Sequence, residues 1–176
     1  TIQTKVFPFF SGEAIVAVCA HSSLIMISRY IYRKMNFSEI CLKDICAVDT
    51  QGTYPSYGLS LKNILDIFIS KNVYFRAYTG RINATDESGS YSLSVVRDIV
   101  FSFLDSQIPV LLAFDSHVVL LCGTSDRYPN DDRHIAIYDD SGAFISKVDA
   151  PASGHTSYMT TVTWGQIRSL GIDRPD

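Results

Sequence analysis

The sequence predicts an α+β domain in which helices come first and an antiparallel sheet follows. Three observations carry this. Between residues 15 and 107 apolar residues recur mostly at helical spacing. From Ile108 onward the apolar runs are seven or eight residues long and are broken by polar turns such as Asp115-Ser116 and Asp140-Ser141-Gly142. Helices and strands are segregated along the chain rather than alternating, which argues against βαβ units and a parallel sheet.

Taken in order, residues 15–34 form the first helix. Ile15, Val18, Leu24, Ile25, Ile27 and Ile31 spread over more than one face, the pattern of a helix in the middle of a protein. SEICLKDICA (38–47) reads as a short helix capped by Ser38, with Ile40, Ile45, Cys41 and Cys46 turned inward. DTQGTYPSYG is a loop. Ser60 caps the helix LKNILDIFISKN, with Leu61, Ile64, Leu65 and Phe68 on one face. VYFRAY (73–78) is rich in β-formers and predicts a strand, and TGRINATDESGSY an exposed loop. SLSVVRDIVFSFLDSQ is a third amphipathic helix. IPVLLAF and HVVLLCGT form a hairpin around Asp115-Ser116. RYPNDDR is a loop, HIAIYDD and AFISKVD are further strands, APASGHTS is a loop, and YMTTVTW is the last strand.

Composition bounds the function. The chain has 176 residues, 47% apolar and 12% aromatic, enough to bury a core without metal or disulfide staples. It reads as a single domain over 1–176, excised from a longer chain because it starts at Thr1. Fifteen basic against eighteen acidic residues leave a net charge of -3, which argues against nucleic acid and an anionic membrane surface as partners. No apolar run approaches a membrane span. Cys19, Cys41, Cys46 and Cys122 lack zinc-finger spacing and read as free thiols in a reducing compartment. Cys41, Cys46 and Cys122 are expected to be core filler.

One constellation carries chemistry. A thiol attacks as thiolate, and a helix N-terminus beside an imidazolium favours that form. The imidazole needs a third group to accept its other N–H. Cys19 opens the buried helix. His117 starts an apolar strand just after a turn, and Asp139 ends the next strand. Adjacent antiparallel strands place their ends side by side, so Asp139 reaches His117. Asp140 is the alternative orienter. His21 lies two residues beyond Cys19 and reads as a packing or substrate-side residue; Trp164 reads as a cleft-lining or packed aromatic.

The order of these pieces resembles papain-like cysteine peptidases, most closely the branch that trims double-glycine leader peptides from bacteriocins. Cys19 is followed ten residues later by Arg29-Tyr30. Gly58-Leu59-Ser60-Leu61 turns into a helix, and a later helix ends before Ile108-Pro109-Val110. His117 opens a strand that runs to Gly123, and a strand ending in Asp139 precedes the turn glycine Gly142. The likeness covers roughly residues 13–148. It departs where Ala20 replaces a glycine after the cysteine, where RYPNDDR lengthens the interval from His117 to Asp139, and where Asp140 replaces a proline.

The resemblance implies a papain-like fold, a buried nucleophile helix packed on the sheet, and a Cys19–His117–Asp139 triad that cleaves a peptide or protein substrate through an acyl-enzyme. It implies no cofactor and no metal. It also implies a glutamine six residues before the cysteine, donating to the oxyanion. Here that oxyanion-hole position is Glu13, and a carboxylate donates only when protonated. Losing one oxyanion donor lowers the rate by roughly two to three orders of magnitude. Two other readings therefore stand beside hydrolysis: a pseudo-peptidase that binds peptides or regulates, and a deamidase or transamidase using the same triad. The compartment expected is cytoplasmic, or a site reached by delivery from a bacterial cytoplasm. The substrate and oligomeric state are not written in the sequence.

Overall fold

The computed structural model describes residues 19–48, 59–78, 82–83, 91–114, 117–124, 133–140 and 159–171. Two compact units divide the chain, Thr1–Arg76 and Ala77–Asp176.

The first unit is helical. In α1 (Cys19–Met35) every residue from Ala20 to Ser28 is buried, whereas Tyr32 and Met35 near the far end are exposed. This all-round burial matches the lack of a polar face in the sequence. Ser28 accepts the backbone N–H of Ile40 through its hydroxyl, which ties the following segment back onto the helix. α1 stops at Asn36, whose φ of 58° is left-handed, and whose N–H bonds to the Tyr32 carbonyl at 3.0 Å. Asparagine tolerates this conformation better than most residues.

The second helix, α2 (Leu42–Val48), starts later than expected. Its cap is Cys41 rather than Ser38, because the Asp44 carboxylate accepts the Cys41 N–H at 2.9 Å. Ile40 and Ile45 are buried as expected, but Cys41 and Cys46 are exposed, which corrects their reading as core filler. Seven residues give two turns, and the inward positions are taken by the isoleucines.

Ser60 caps α3 (Leu61–Ser70) as expected: its hydroxyl accepts the Asn63 N–H at 3.2 Å, and the Asn63 side chain accepts the Ser60 N–H at 3.2 Å. The buried face is Ile64, Ile67 and Phe68, whereas Leu61, in the first turn, is exposed. The helix ends in a Schellman arrangement with Asn72 at φ 56°: Val73 N–H bonds to the Phe68 carbonyl and Asn72 N–H to the Ile69 carbonyl. This uses the first amide of VYFRAY, and residues 73–78 form no strand. Val73 is buried and Phe75 lies against Phe68 with ring centroids 5.5 Å apart, but Tyr74 is 92% exposed. Strand propensity reflects a half-buried pleated surface, and this segment does not provide one.

Asp44 also links α2 to the end of α3, pairing with Lys71 at 2.9 Å. The Cys41 backbone N–H, then Lys71, then the Cys41 thiol hold its carboxyl down from 3.8 to about 2. The folded value lies below the unfolded one, so the carboxylate stabilises fully above the unfolded value and this contribution is lost as pH falls through the folded value. Asp44→Asn is expected to flatten the fall in stability between 3.8 and about 2. Urea midpoints measured across that range check it; an unaltered slope counts against the assignment.

The second unit holds the sheet. A short parallel pair, β1 (Ile82–Asn83) and β2 (Tyr91–Ser92), precedes α4 (Leu93–Asp105). Another Schellman end, with Gln107 at φ 59°, turns the chain into β3 (Val110–Phe114). β4 (His117–Thr124), β5 (His134–Tyr138) and β6 (Met159–Thr163) follow, all antiparallel in the order β3-β4-β5-β6. Phe114 pairs with His117, so the first hairpin closes across Asp115-Ser116 as expected. The expected strand AFISKVD lies outside the described residues.

Val100, Phe101 and Leu104 of α4 pack on Val119, Leu121, Ile135, Ile137 and Val162 of the sheet. Leu120 and Tyr138, a cross-strand pair on the opposite face, are also fully buried. Cys122 is the extra residue of a β-bulge, since Leu121 pairs with Ile137 and Gly123 with Ala136. Arg133 clamps the start of β5 to α4: it forks onto both oxygens of Asp105 and lies 4.6 Å over the Phe101 ring.

A final helix, α5 (Trp164–Gly171), follows β6 directly. Thr163 and Gln166 form its capping box: the Gln166 side-chain oxygen accepts the Thr163 N–H at 2.8 Å, and the Thr163 hydroxyl accepts the Gln166 N–H at 3.2 Å. Trp164, the expected last residue of the strand, instead opens this helix and is buried against Phe101 at 6.2 Å between centroids. An α+β architecture with an antiparallel four-stranded sheet is therefore present. No helix of the described residues is long and apolar enough to cross a membrane.

Candidate functional site

Sheet register brings His117 and Asp139 together. Leu120 pairs with Tyr138, so the residue after Tyr138 comes alongside Val119. Val119 and His117 are two apart and share a face of β4, which makes Asp139 a diagonal neighbour of His117. The His117 Nε2–H donates to Asp139 Oδ1 at 2.7 Å. The carboxylate side chain is fully buried and the imidazole is 16% exposed. That is the arrangement of an oriented imidazole, with one ring nitrogen anchored to an acid.

Asp140 is close by. One ligating atom from each of His117, Asp139 and Asp140 lies within 4.8 Å of the other two, and Asp140 is 7% exposed. Of the two candidate orienters, Asp139 makes the hydrogen bond to the ring. A cation shared by all three would hold its ligand atoms about 3 Å or more apart at ordinary metal–ligand lengths. The 2.7 Å contact is instead a hydrogen bond in which the two atoms satisfy one another.

Cys19 is the first residue of α1, in the other unit, and is partly exposed. Among the remaining cysteines, burial pushes the Cys122 thiol up to about 12, which disfavours its nucleophilic thiolate form. Its sulfur lies 3.5 Å from the Ala136 carbonyl. Cys41 and Cys46 are exposed on α2, where the Cys41 thiol donates to Asp44 at 3.0 Å. His21 is 2% exposed, which fits the packing reading rather than the substrate-side one. His134 is exposed at the start of β5. Glu13 and His155 lie outside the described residues.

The sequence did not single out the Arg133–Asp105 clamp. Its signal was an arginine closing a polar run just before a strand, which is common. Family models, curated proteins and solved structures were each compared with the chain, and none matches it.

Proposed function

We propose that the chain is a papain-like cysteine peptidase domain acting through Cys19, His117 and Asp139. The observation that carries this is the 2.7 Å bond from His117 to the fully buried Asp139. A buried carboxylate anchored to one nitrogen of a partly exposed imidazole fixes the ring's orientation and favours its protonated form. Support also comes from Cys19, the partly exposed first residue of α1.

The thiolate of Cys19 attacks the carbonyl carbon of an extended peptide and forms a tetrahedral oxyanion. His117 gives its proton to the leaving amine, and the C–N bond breaks to leave an acyl-enzyme. His117 then takes a proton from water, which attacks the thioester and releases the acid. Asp139 holds the ring through both halves. The Cys19 N–H is one oxyanion donor. Glu13 supplies a second only when protonated. The four free thiols fit a reducing compartment, the cytoplasm of the source cell or of a cell to which the protein is delivered.

A thiol-directed electrophile tests the reading. Cys19 is expected to react at least about tenfold faster than the exposed Cys41 and Cys46, with Cys122 unlabelled in the folded chain. Labelling of Cys19 no faster than that of Cys41 overturns it. Glu13 bears on the choice between enzyme and pseudo-peptidase: Glu13→Gln raising peptide cleavage strongly identifies a damaged oxyanion position. Ammonia release without chain cleavage identifies a deamidase.

A further inference from the structure

We propose that Asp140 is a positioning residue that, together with Asp139, holds His117 in its doubly protonated form. The meaning of this for catalysis rests on the peptidase reading, since a persistent imidazolium is what stabilises a neighbouring thiolate.

The argument starts from two carboxylates on one ring. Asp139 engages Nε2 directly at 2.7 Å. Asp140 follows it at a bend, with a carboxylate oxygen within 4.8 Å of both the Asp139 oxygen and a ring nitrogen. Both carboxylates are buried, Asp139 fully and Asp140 to 7% exposure, so solvent screens their field on the ring weakly. Neighbouring carboxylates disfavour each other's ionisation, and a cation beside them offsets that repulsion. The imidazolium is that cation. Asp139 acts through a hydrogen bond and fixes orientation; Asp140 acts through its field and fixes charge.

The other titratable groups on elements packed near His117 are few. β3 carries none. β4 itself carries Cys122, five residues on, whose thiol stays protonated. β5 carries His134 at its far end and the fully buried Tyr138 directly before Asp139. α4, which packs on β4, carries Arg97, Asp98 and Asp105; Arg97 pairs with Asp98, and Asp105 with Arg133. The two aspartates are thus the acidic groups placed closest to the ring among these elements.

The test is the side-chain ¹⁵N titration of His117 in the full chain carrying Cys19→Ala, which removes any thiolate. The resonance is assigned by its loss in His117→Gln. The midpoint is expected about one pH unit above the ordinary value near 6.5. Asp140→Asn is expected to lower it by roughly 0.5–1 unit, a three- to tenfold drop in proton affinity, with the His134 midpoint unmoved. Asp140→Glu, which keeps the charge, restores most of the shift. Should Asp140→Asn not fold, Asp140→Ser gives the same readout. A His117 midpoint that moves by less than about 0.2 unit in a folded neutral variant, or no more than that of His134, overturns the proposal. The titration involves neither the thiol nor a peptide. A shifted midpoint, with the Cys19-bearing chain cleaving nothing, therefore counts against the peptidase reading alone; an unshifted midpoint, with that chain cleaving, counts against Asp140 alone.

Discussion

Replacing His117 by alanine is expected to lower kcat/KM for peptide cleavage by roughly three orders of magnitude or more, the usual consequence of removing the base from a nucleophile–base pair. The physical reason is that the ring does two jobs in sequence. In the proposed mechanism it stabilises the attacking thiolate and then protonates the leaving amine. Asp139 is expected to follow a graded order. Asp139→Leu removes both acceptor and charge and lowers the rate by roughly 10²–10⁴-fold, whereas Asp139→Asn keeps an acceptor for the Nε2–H and loses less. Initial rates on a peptide library, with far-UV circular dichroism to confirm folding, check the series. Cleavage that survives His117→Ala sinks the triad outright. Equal losses for Asp139→Leu and Asp139→Asn would mean that charge, rather than the hydrogen bond, is what the ring needs.

Ile137→Ala is expected to destabilise the folded chain by about 2–5 kcal/mol, because it empties a site that has no solvent-exposed surface to collapse into. Ile137 is fully buried at the centre of β5 and packs in the cluster formed with α4, opposite Leu121 in the neighbouring strand. The loss appears as a lower urea midpoint with an unchanged slope. Ile69→Ala is the control, since Ile69 is 62% exposed, and its effect stays within about 0.5 kcal/mol. A shift at Ile137 as small as that of the control removes the support for a single core under this sheet. If the proposed peptidase reading holds, cleavage is expected to fall with the same change, because Ile137 lies two residues before Asp139.

The sheet was legible because its signals are local. Each strand of the hairpin is an apolar run, the turn between them is two polar residues, and antiparallel neighbours bring strand ends together. That is why His117 and Asp139 were identified from sequence as neighbours. The preference for Asp139 over Asp140 needed register: only the pairing of Leu120 with Tyr138 says which aspartate shares the face of His117. Three misreadings have one origin, a propensity outvoted by a specific hydrogen bond. Ser38 is the better cap by type, but Asp44 reaches the amide of Cys41. VYFRAY is rich in strand formers, but the Val73 amide closes the end of α3. Trp164 completes a β-rich run, yet Thr163 and Gln166 stand three apart as a capping box, a pattern visible in the sequence and stronger than the propensity of the residue between them. Glu13 precedes the described residues, so its part in the chemistry rests on the experiment alone.

The Arg133 clamp has a consequence for how this chain tolerates change. By pinning the point where the backbone re-enters the sheet to Asp105 and Phe101, it separates the length of the preceding polar connection from the position of Asp139. With Arg133 in place, insertions between Thr124 and Arg133 are expected to leave the aspartate five residues past the start of β5 in position. The interval is thus a natural point for diversification, where new recognition sequence can be added to the scaffold while the geometry of the imidazole and its acid is inherited unchanged.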